Sequence, residues 1–368
     1  MSSNQFWLNL NGVTYTSDQL KAGSFKSNIN SFEQSTLNFC CEWLTNKQEF
    51  KLHTSGSTGT PKNIIITRKQ MEASAGLTIK ALNLKPNYTA LICLDTKYIA
   101  GQMMLVRSFV LGMNIIAVDP TSNPFEKIHS TQSLDFAALV PYQVQTILNS
   151  PSRSRLDALK CVIIGGAPLD VITKKELLSI GCECYATYGM TETISHIALQ
   201  RLNGEHVQDH FEVLDEIEIG QDERGCLVIR AGYLGNKIIT NDLIEIINTN
   251  KFRWLGRWDN IINSGGVKIM PEKIEVAVQE IFDSLELTNR FFVAGLPDEK
   301  LNQKVSLIIE GTPFANDLLS RLEKGLREKM DRYEKPREIK FITTFKQTET
   351  GKVMRAETLH LIPARSHT

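Results

Sequence analysis

No stretch of this sequence is apolar for long enough to cross a bilayer, and its start, MSSNQFWLNLNG, lacks the charged and apolar regions of a secretory signal. Both absences lead to the expectation of a cytoplasmic protein. An excess of either charge is missing too. The 41 Lys and Arg balance 41 Asp and Glu, whereas a nucleic-acid partner calls for a basic surface. The seven cysteines, Cys40, Cys41, Cys93, Cys161, Cys182, Cys184 and Cys226, contain no C-x-x-C, so reduced and mostly buried thiols are expected. Cys182 and Cys184 alternate like residues of a strand and lack companion ligands. His206 and His210 are four apart, but the glutamate of H-E-x-x-H is absent and β-type sequence follows. The Walker phosphate signature is absent as well.

What is present is length and one unusual loop. A chain of 368 residues with 42% hydrophobic content can bury a sizeable core, and its length fits two domains. From His53 to Lys62 it reads HTSGSTGTPK. Thr54, Ser55, Ser57, Thr58 and Thr60 supply hydroxyls, Gly56 and Gly59 let the backbone approach a ligand closely, and Lys62 adds a movable positive charge. Such a loop suits a polyphosphate. Its lysine follows Pro61 rather than a glycine, and Asn63 follows the lysine, so it is not a Walker loop. Composition alone also describes a solvated linker. The apolar run Ile64 to Ile66 instead has the loop feeding a buried strand.

Further along, Phe32 to Trp43 and Arg68 to Leu82 have helical spacing, and apolar strands at Ala90–Leu94, Asn114–Val118, Phe136–Val140 and Cys161–Ile164 alternate with helical segments. This pattern implies an α/β fold with a largely parallel sheet, whose ligands sit at the carboxyl ends of the strands. Gly165, Gly166, Ala167 and Pro168 follow one such strand, either as a simple turn or as a ligand edge. Arg107 is a lone cation amid Met103, Met104, Leu105, Val106, Phe109 and Val110. It either snorkels to the surface or points inward, where it would hold a carboxylate by bidentate hydrogen bonds. Val213 to Ile229 reads as strand, acidic turn at Asp222 to Gly225, and strand. From about residue 260 a small α+β domain follows, with strands at Phe291–Gly295 and Lys304–Ile309 and a helix at Asp317–Tyr333.

Four ordered strings, HTSGSTGTPK, YGMTET (Tyr188 to Thr193), WLGRWDNIINSGGVKIMPEKIE (Trp254 to Glu275) and TETGKVMR (Thr348 to Arg355), resemble the signatures of the adenylate-forming, or acyl-CoA synthetase, superfamily. The resemblance covers residues from about 50 to 360. It implies a large N-terminal domain of mostly parallel sheets flanked by helices, residues 1–257, that binds ATP and the acyl group. A small mobile C-terminal α+β domain, residues 260–368, would turn about a hinge at 258–259. The superfamily usually places more chain before its phosphate loop, so a shortened N-terminal region is expected.

By the same resemblance Thr54 to Gly59 and Lys62 bind the phosphates, while Gly165, Gly166, Ala167, Tyr188 and Gly189 lie beside the adenine. Thr191 contacts the α-phosphate, Glu192 binds Mg²⁺, Asp242 holds the ribose hydroxyls, and Arg257 contacts ribose and phosphate. Asn241 stands where glycine is usual. Tyr98 and Gly101 take the places of the acyl-pocket His-x-x-Gly motif. Asp259 is the hinge, Gly265 with Gly266 forms the loop used in the coenzyme A half-reaction, and Lys352 completes the adenylation site. The continuation ISHIALQRLNG looks most like the o-succinylbenzoate–CoA ligases, which places Ser195 and His196 at the acyl substrate.

Bland alternatives stand beside several of these roles. Thr191 also suits a helix N-cap, His196 a core histidine, Gly265-Gly266 a hairpin turn and Lys352 a surface lysine. The reaction implied is ATP-dependent ligation of coenzyme A to a small-molecule aryl carboxylic acid through an acyl-adenylate, with o-succinylbenzoate as the leading acid. Alternatives are another aryl- or fatty-acyl-CoA ligase, a free-standing adenylation domain, or, in a different class, a nucleotide-binding module without catalysis. A homo-oligomer stays open.

Overall fold

The computed structural model describes residues 6–23, 25, 28–53, 63–347 and 353–362. A 13-stranded sheet dominates it, and it has two halves. Six strands, Trp7–Leu10, Asn114–Ala117, Thr89–Ile92, Phe136–Leu139, Cys161–Ile164 and Glu183–Gly189, lie side by side and parallel. Three of these are buried along their whole length, which is why they read as unbroken apolar runs. Successive residues supply opposite faces: Ile92, Ile115 and Ile163 join one core cluster, and Leu91, Ile116 and Ile164 the other.

From His196 onward the sheet continues antiparallel through His196–Arg201, Phe211–Val213, Lys251–Arg257, Ile238–Asn248, Cys226–Ala231 and Ile217–Gln221. Short turns make it so. The hairpin at Asp222–Gly225, with Gly225 at φ 81°, leaves no chain for a crossover helix.

The helix Arg68–Ala81 begins in a capping box, in which Thr67 Oγ1 accepts from the Gln70 N–H and Gln70 Oε1 from the Thr67 N–H. It packs against Ile99–Leu111, a helix in which every residue from Gly101 to Ser108 is buried. Gly101 has a steric reason to be glycine, because a Cβ there would stand 2.6 Å from the Asp95 carbonyl oxygen. The strand entered from the Ser/Thr/Gly loop, Asn63–Thr67, is buried on one side only. It pairs with Glu49–His53 in a separate two-stranded hairpin and leaves Ile65 57% exposed, which corrects the expectation of a buried strand.

A smaller sheet of five strands, Ile262–Ser264, Val267–Ile269, Phe291–Asp298, Asn302–Glu310 and Glu338–Ile342, carries the helices Pro271–Ser284 and Asn316–Lys329. It has its own core around Phe282, Leu307 and Leu322. The second helix ends four residues before the expected Tyr333, since Met330 is extended at ψ 142°. Between the two sheets, from Arg257 to Ile262, the chain makes a single 3-10 turn, Trp258–Asn260.

Candidate active site

Thr54 to Lys62 and Lys352 lie outside the described residues. The strand leaving that loop, however, lines a cleft of about 180 Å³ together with Thr191, Glu192, Ile194 and the segment Leu234 to Ile238. Gln70, at the start of the following helix, ties the far wall by donating to the Tyr233 carbonyl at 3.1 Å. Thr191 to Thr193 form a 3-10 turn at the end of the last parallel strand, where an α/β sheet presents its ligand site. Glu192 is exposed and makes no ion pair among the described residues. Mg²⁺ takes one or two protein carboxylates and draws its other ligands from phosphates and water, so a single exposed carboxylate at this cleft suits it.

Behind this turn stands a ring of polar contacts around Asp242. Tyr188 donates its hydroxyl to Asp242 Oδ2 at 2.6 Å, Trp254 donates its indole N–H to Oδ1 at 3.3 Å, and Arg257 lies 3.8 Å from Oδ1. Arg257 faces Asp242 because the two are register partners in adjacent strands. Burial, reinforced by the Asp242 charge, raises the Tyr188 phenol above its ordinary range, so it is a permanent donor. Its ring packs edge-on against Phe252 at 5.2 Å.

Asn241, the residue out of pattern, has a partner on each side. It accepts from Arg224 at 2.8 Å and donates to Asp259 at 3.1 Å, while Arg257 also binds Asp259 at 2.8 Å. Neither Trp254 nor Arg224 carried a role in the sequence reading, and nothing in their local sequence marks one. Gly165 is forced by proximity, since a Cβ there would lie 2.3 Å from Thr187 Oγ1. Gly166 has φ 90°, and Ala167 continues the exposed turn. Gly265 and Gly266, at φ 61° and 84°, make the hairpin turn between Ile262–Ser264 and Val267–Ile269.

Arg107 is buried, with 2% of its surface exposed, which removes the snorkelling alternative. No acidic side chain among the described residues pairs with it. Its Nη2 donates to Ser195 Oγ at 2.5 Å, and its Nε–H has no partner among the described residues. Burial pushes its pKa down to about 9, which still leaves it cationic at neutral pH. Ser195 Oγ lies 3.4 Å from Nδ1 of buried His196, whose Nε2 is 3.0 Å from Thr78 Oγ1. Tyr98 is half-buried at the head of the same helix as Arg107. The site thus has two sides, one around Asp242 and Glu192 and the other around Arg107, joined through the turn from Gly189 to His196.

The His196 imidazole is held well below its ordinary value of 6.5, first by burial and then by the Arg107 charge. Below that ordinary value the unfolded chain takes up a proton that the folded chain refuses. Stability is therefore expected to fall as the pH drops from about 6.5, by up to about 1.4 kcal/mol per pH unit for this one group. Urea titrations between about pH 7 and pH 5 should show this slope in the wild-type chain and lose one proton's share of it in His196→Asn.

The family profile described as AMP-binding enzyme matches residues 50–219. A 2-succinylbenzoate–CoA ligase of Salmonella typhimurium is 25% identical over 87% of this chain and 70% of its own length. The crystal structure of an acyl-CoA synthetase (AMP-forming)/AMP-acid ligase II-like protein from Dyadobacter fermentans is 41% identical, with a TM-score of 0.62, covering 94% of this chain and 98% of that one. An o-succinylbenzoate coenzyme A synthetase from Bacillus subtilis, solved with ATP and magnesium ion, shares the fold at a TM-score of 0.76 and 16% identity over 98% of this chain and 97% of that one. The chain belongs to the adenylate-forming, AMP-binding enzyme family and is an acyl-CoA synthetase of that family.

Proposed function

We propose that the protein ligates coenzyme A to an aryl carboxylic acid bearing a second carboxylate, with o-succinylbenzoate as the acid that fits best. The observation that carries this reading is Arg107. A buried cation with no counter-ion and an unpartnered N–H, as Arg107 is among the described residues, costs several kcal/mol, and an anionic group arriving with the substrate offsets that cost. A bidentate carboxylate matches the guanidinium fork.

The chemistry follows from the poor leaving group of a carboxylate. One carboxylate oxygen attacks the α-phosphorus of ATP, the bond to the β-phosphate oxygen breaks, and pyrophosphate leaves. The thiol of coenzyme A then attacks the acyl carbon of the mixed anhydride, loses its proton, and releases AMP. In the first step the protein positions the reactants and neutralises charge. Thr54 to Gly59, Lys62 and Thr191 would hold the phosphates, and Asp242 would accept from the ribose hydroxyls with Tyr188 and Trp254 fixing its orientation. A magnesium ion at Glu192 would offset the charge of the departing pyrophosphate. Lys352 would complete the adenylation site and withdraw for the second step. We place residues 1–257 in the ATP- and acyl-binding domain and 260–368 in the mobile one, with the hinge at 258–259 and the Gly265-Gly266 turn entering for thioester formation. Asn241 and Arg257, which both bind Asp259, would steady that hinge.

The test is a panel of monocarboxylic and dicarboxylic aryl acids and fatty acids, with thioester formation followed in the presence of ATP and coenzyme A. A preference for dicarboxylic aryl acids is expected; a preference for fatty acids would refute the finer reading. Asp242→Asn keeps one acceptor but loses the charge, and is expected to raise the KM for ATP roughly tenfold, against a smaller change for the acid. An equal rise in both constants would place Asp242 outside the nucleotide site.

A further inference from the structure

Arg107, Ser195, His196 and Thr78 form one chain of hydrogen bonds, and the Thr78 end sets its direction. A guanidinium only donates, so Ser195 Oγ accepts from Arg107 Nη2. That bond leaves the hydroxyl its own proton and a second lone pair, so toward His196 Nδ1, 3.4 Å away, it can donate or accept. If Nδ1 accepts, the ring proton sits on Nε2 and points to Thr78 Oγ1 at 3.0 Å. Thr78 hands its own proton to the Ser74 carbonyl at 3.3 Å, and a carbonyl only accepts. With the Thr78 proton spent on that carbonyl, Thr78 can only accept from Nε2, and a neutral ring must then take the Ser195 proton at Nδ1.

The backbone around Ser195 and His196 has little slack. Gly189 is the register partner of His196, and a Cβ on it would lie 2.4 Å from the His196 Cα. Ile194, buried and β-branched, adopts φ 71°, a conformation such residues rarely take. Thr193 Oγ1 clamps the Ser195 carbonyl at 2.7 Å. Strain and close approach therefore converge where Ser195 meets Arg107.

We propose that His196 is a positioning residue of the carboxylate clamp. As a neutral Nε2–H imidazole it takes the Ser195 proton, keeps Ser195 an acceptor for Arg107, and so holds the guanidinium with its remaining N–H groups available to the acid. Ser195 then has no proton to offer the substrate and acts through Arg107, and Thr78, on a different helix, sets the tautomer. This rests on the reading that Arg107 meets the second carboxylate of the acid.

Two measurements test it. In the full-length chain with 15N-labelled histidine, the His196 signals are identified by their loss in H196N. Nδ1 is expected at a pyridine-type shift and Nε2 at a pyrrole-type shift wherever the protein is folded. A protonated Nδ1, or a ring that titrates like a free histidine, would overturn the proposal. The kinetic arm compares H196N, whose amide oxygen sits near the Nδ1 position and can accept from Ser195, with H196Q, whose amide reaches the Nε2 position instead. H196Q is expected to raise the KM for a dicarboxylic aryl acid on the order of tenfold more than the KM for ATP, and H196N to recover most of that ratio. Identical effects of the two substitutions would also overturn it. If instead Arg107→Ala leaves the dicarboxylate KM unchanged while the tautomer is as stated, the substrate reading fails and the chain of protons stands.

Discussion

Arg107→Met is expected to yield a protein more stable than the wild type and nearly blind to its acid. The guanidinium is buried among apolar side chains, and among the described residues it has no counter-ion and one of its N–H groups has no acceptor. Methionine fills a similar volume with three rotatable bonds and no charge to desolvate. Exchanging buried charge for a well-packed apolar side chain typically stabilises by about 1 to 4 kcal/mol, and a rise of that size is expected in urea titrations without ligand. On the acid side, each hydrogen bond to a charged group contributes roughly 1.5 to 3 kcal/mol, so losing the clamp should raise the KM for a dicarboxylic acid by on the order of a hundredfold. The KM for ATP should barely move, because Asp242, Glu192 and Arg257 lie on the other side of the site. A less stable variant with an unchanged acid KM would make Arg107 a structural residue. The trade of stability for function is common where an active site stores an uncompensated charge.

Lys352→Ala should separate the two half-reactions. The lysine would deliver its charge to the negative charge that builds up as pyrophosphate departs, and removing one preorganised donor of that kind typically costs about 10² to 10³ in rate. On the proposed reading, thioester formation from preformed acyl-adenylate and coenzyme A would need that position vacated, so it should be retained. Stopped-flow measurement of each half-reaction decides the matter. Equal loss of both would argue against rotation of the small domain about Asp259.

Much of the large sheet was legible in the sequence because its strands are covered on both faces. Burial on two sides demands apolar residues at every position, and Cys161–Ile164 shows that demand without interruption. The strand Asn63–Thr67 carries an equally apolar run, Ile64 to Ile66, yet is covered on only one side, and no local signal separates the two cases. For the site, the resemblance to the adenylate-forming superfamily pointed to Tyr188, Asp242 and Arg257, which the fold brings together within hydrogen-bond or ion-pair distance.

What stayed hidden depends on long-range contact. Thr78 is 118 positions from His196, and a threonine inside a helix carries no mark of the proton it receives. Asn241 looked like a lapse from pattern until its bonds to Arg224 and Asp259 were visible. Ser195 and His196 were both placed against the acid, whereas the Ser195 oxygen is already shared between Arg107 and His196. A lone arginine in an apolar helix reads equally well as snorkelling or inward, and only its burial distinguishes the two.

The most direct test of the account is isotope exchange between pyrophosphate and ATP, run without coenzyme A and with single acids added. Exchange that depends on a dicarboxylic aryl acid, such as o-succinylbenzoate, and disappears in Lys352→Ala is the predicted result. Absence of exchange with every acid, by an enzyme that still binds ATP, would contradict the acyl-adenylate and with it the roles assigned to both sides of the site.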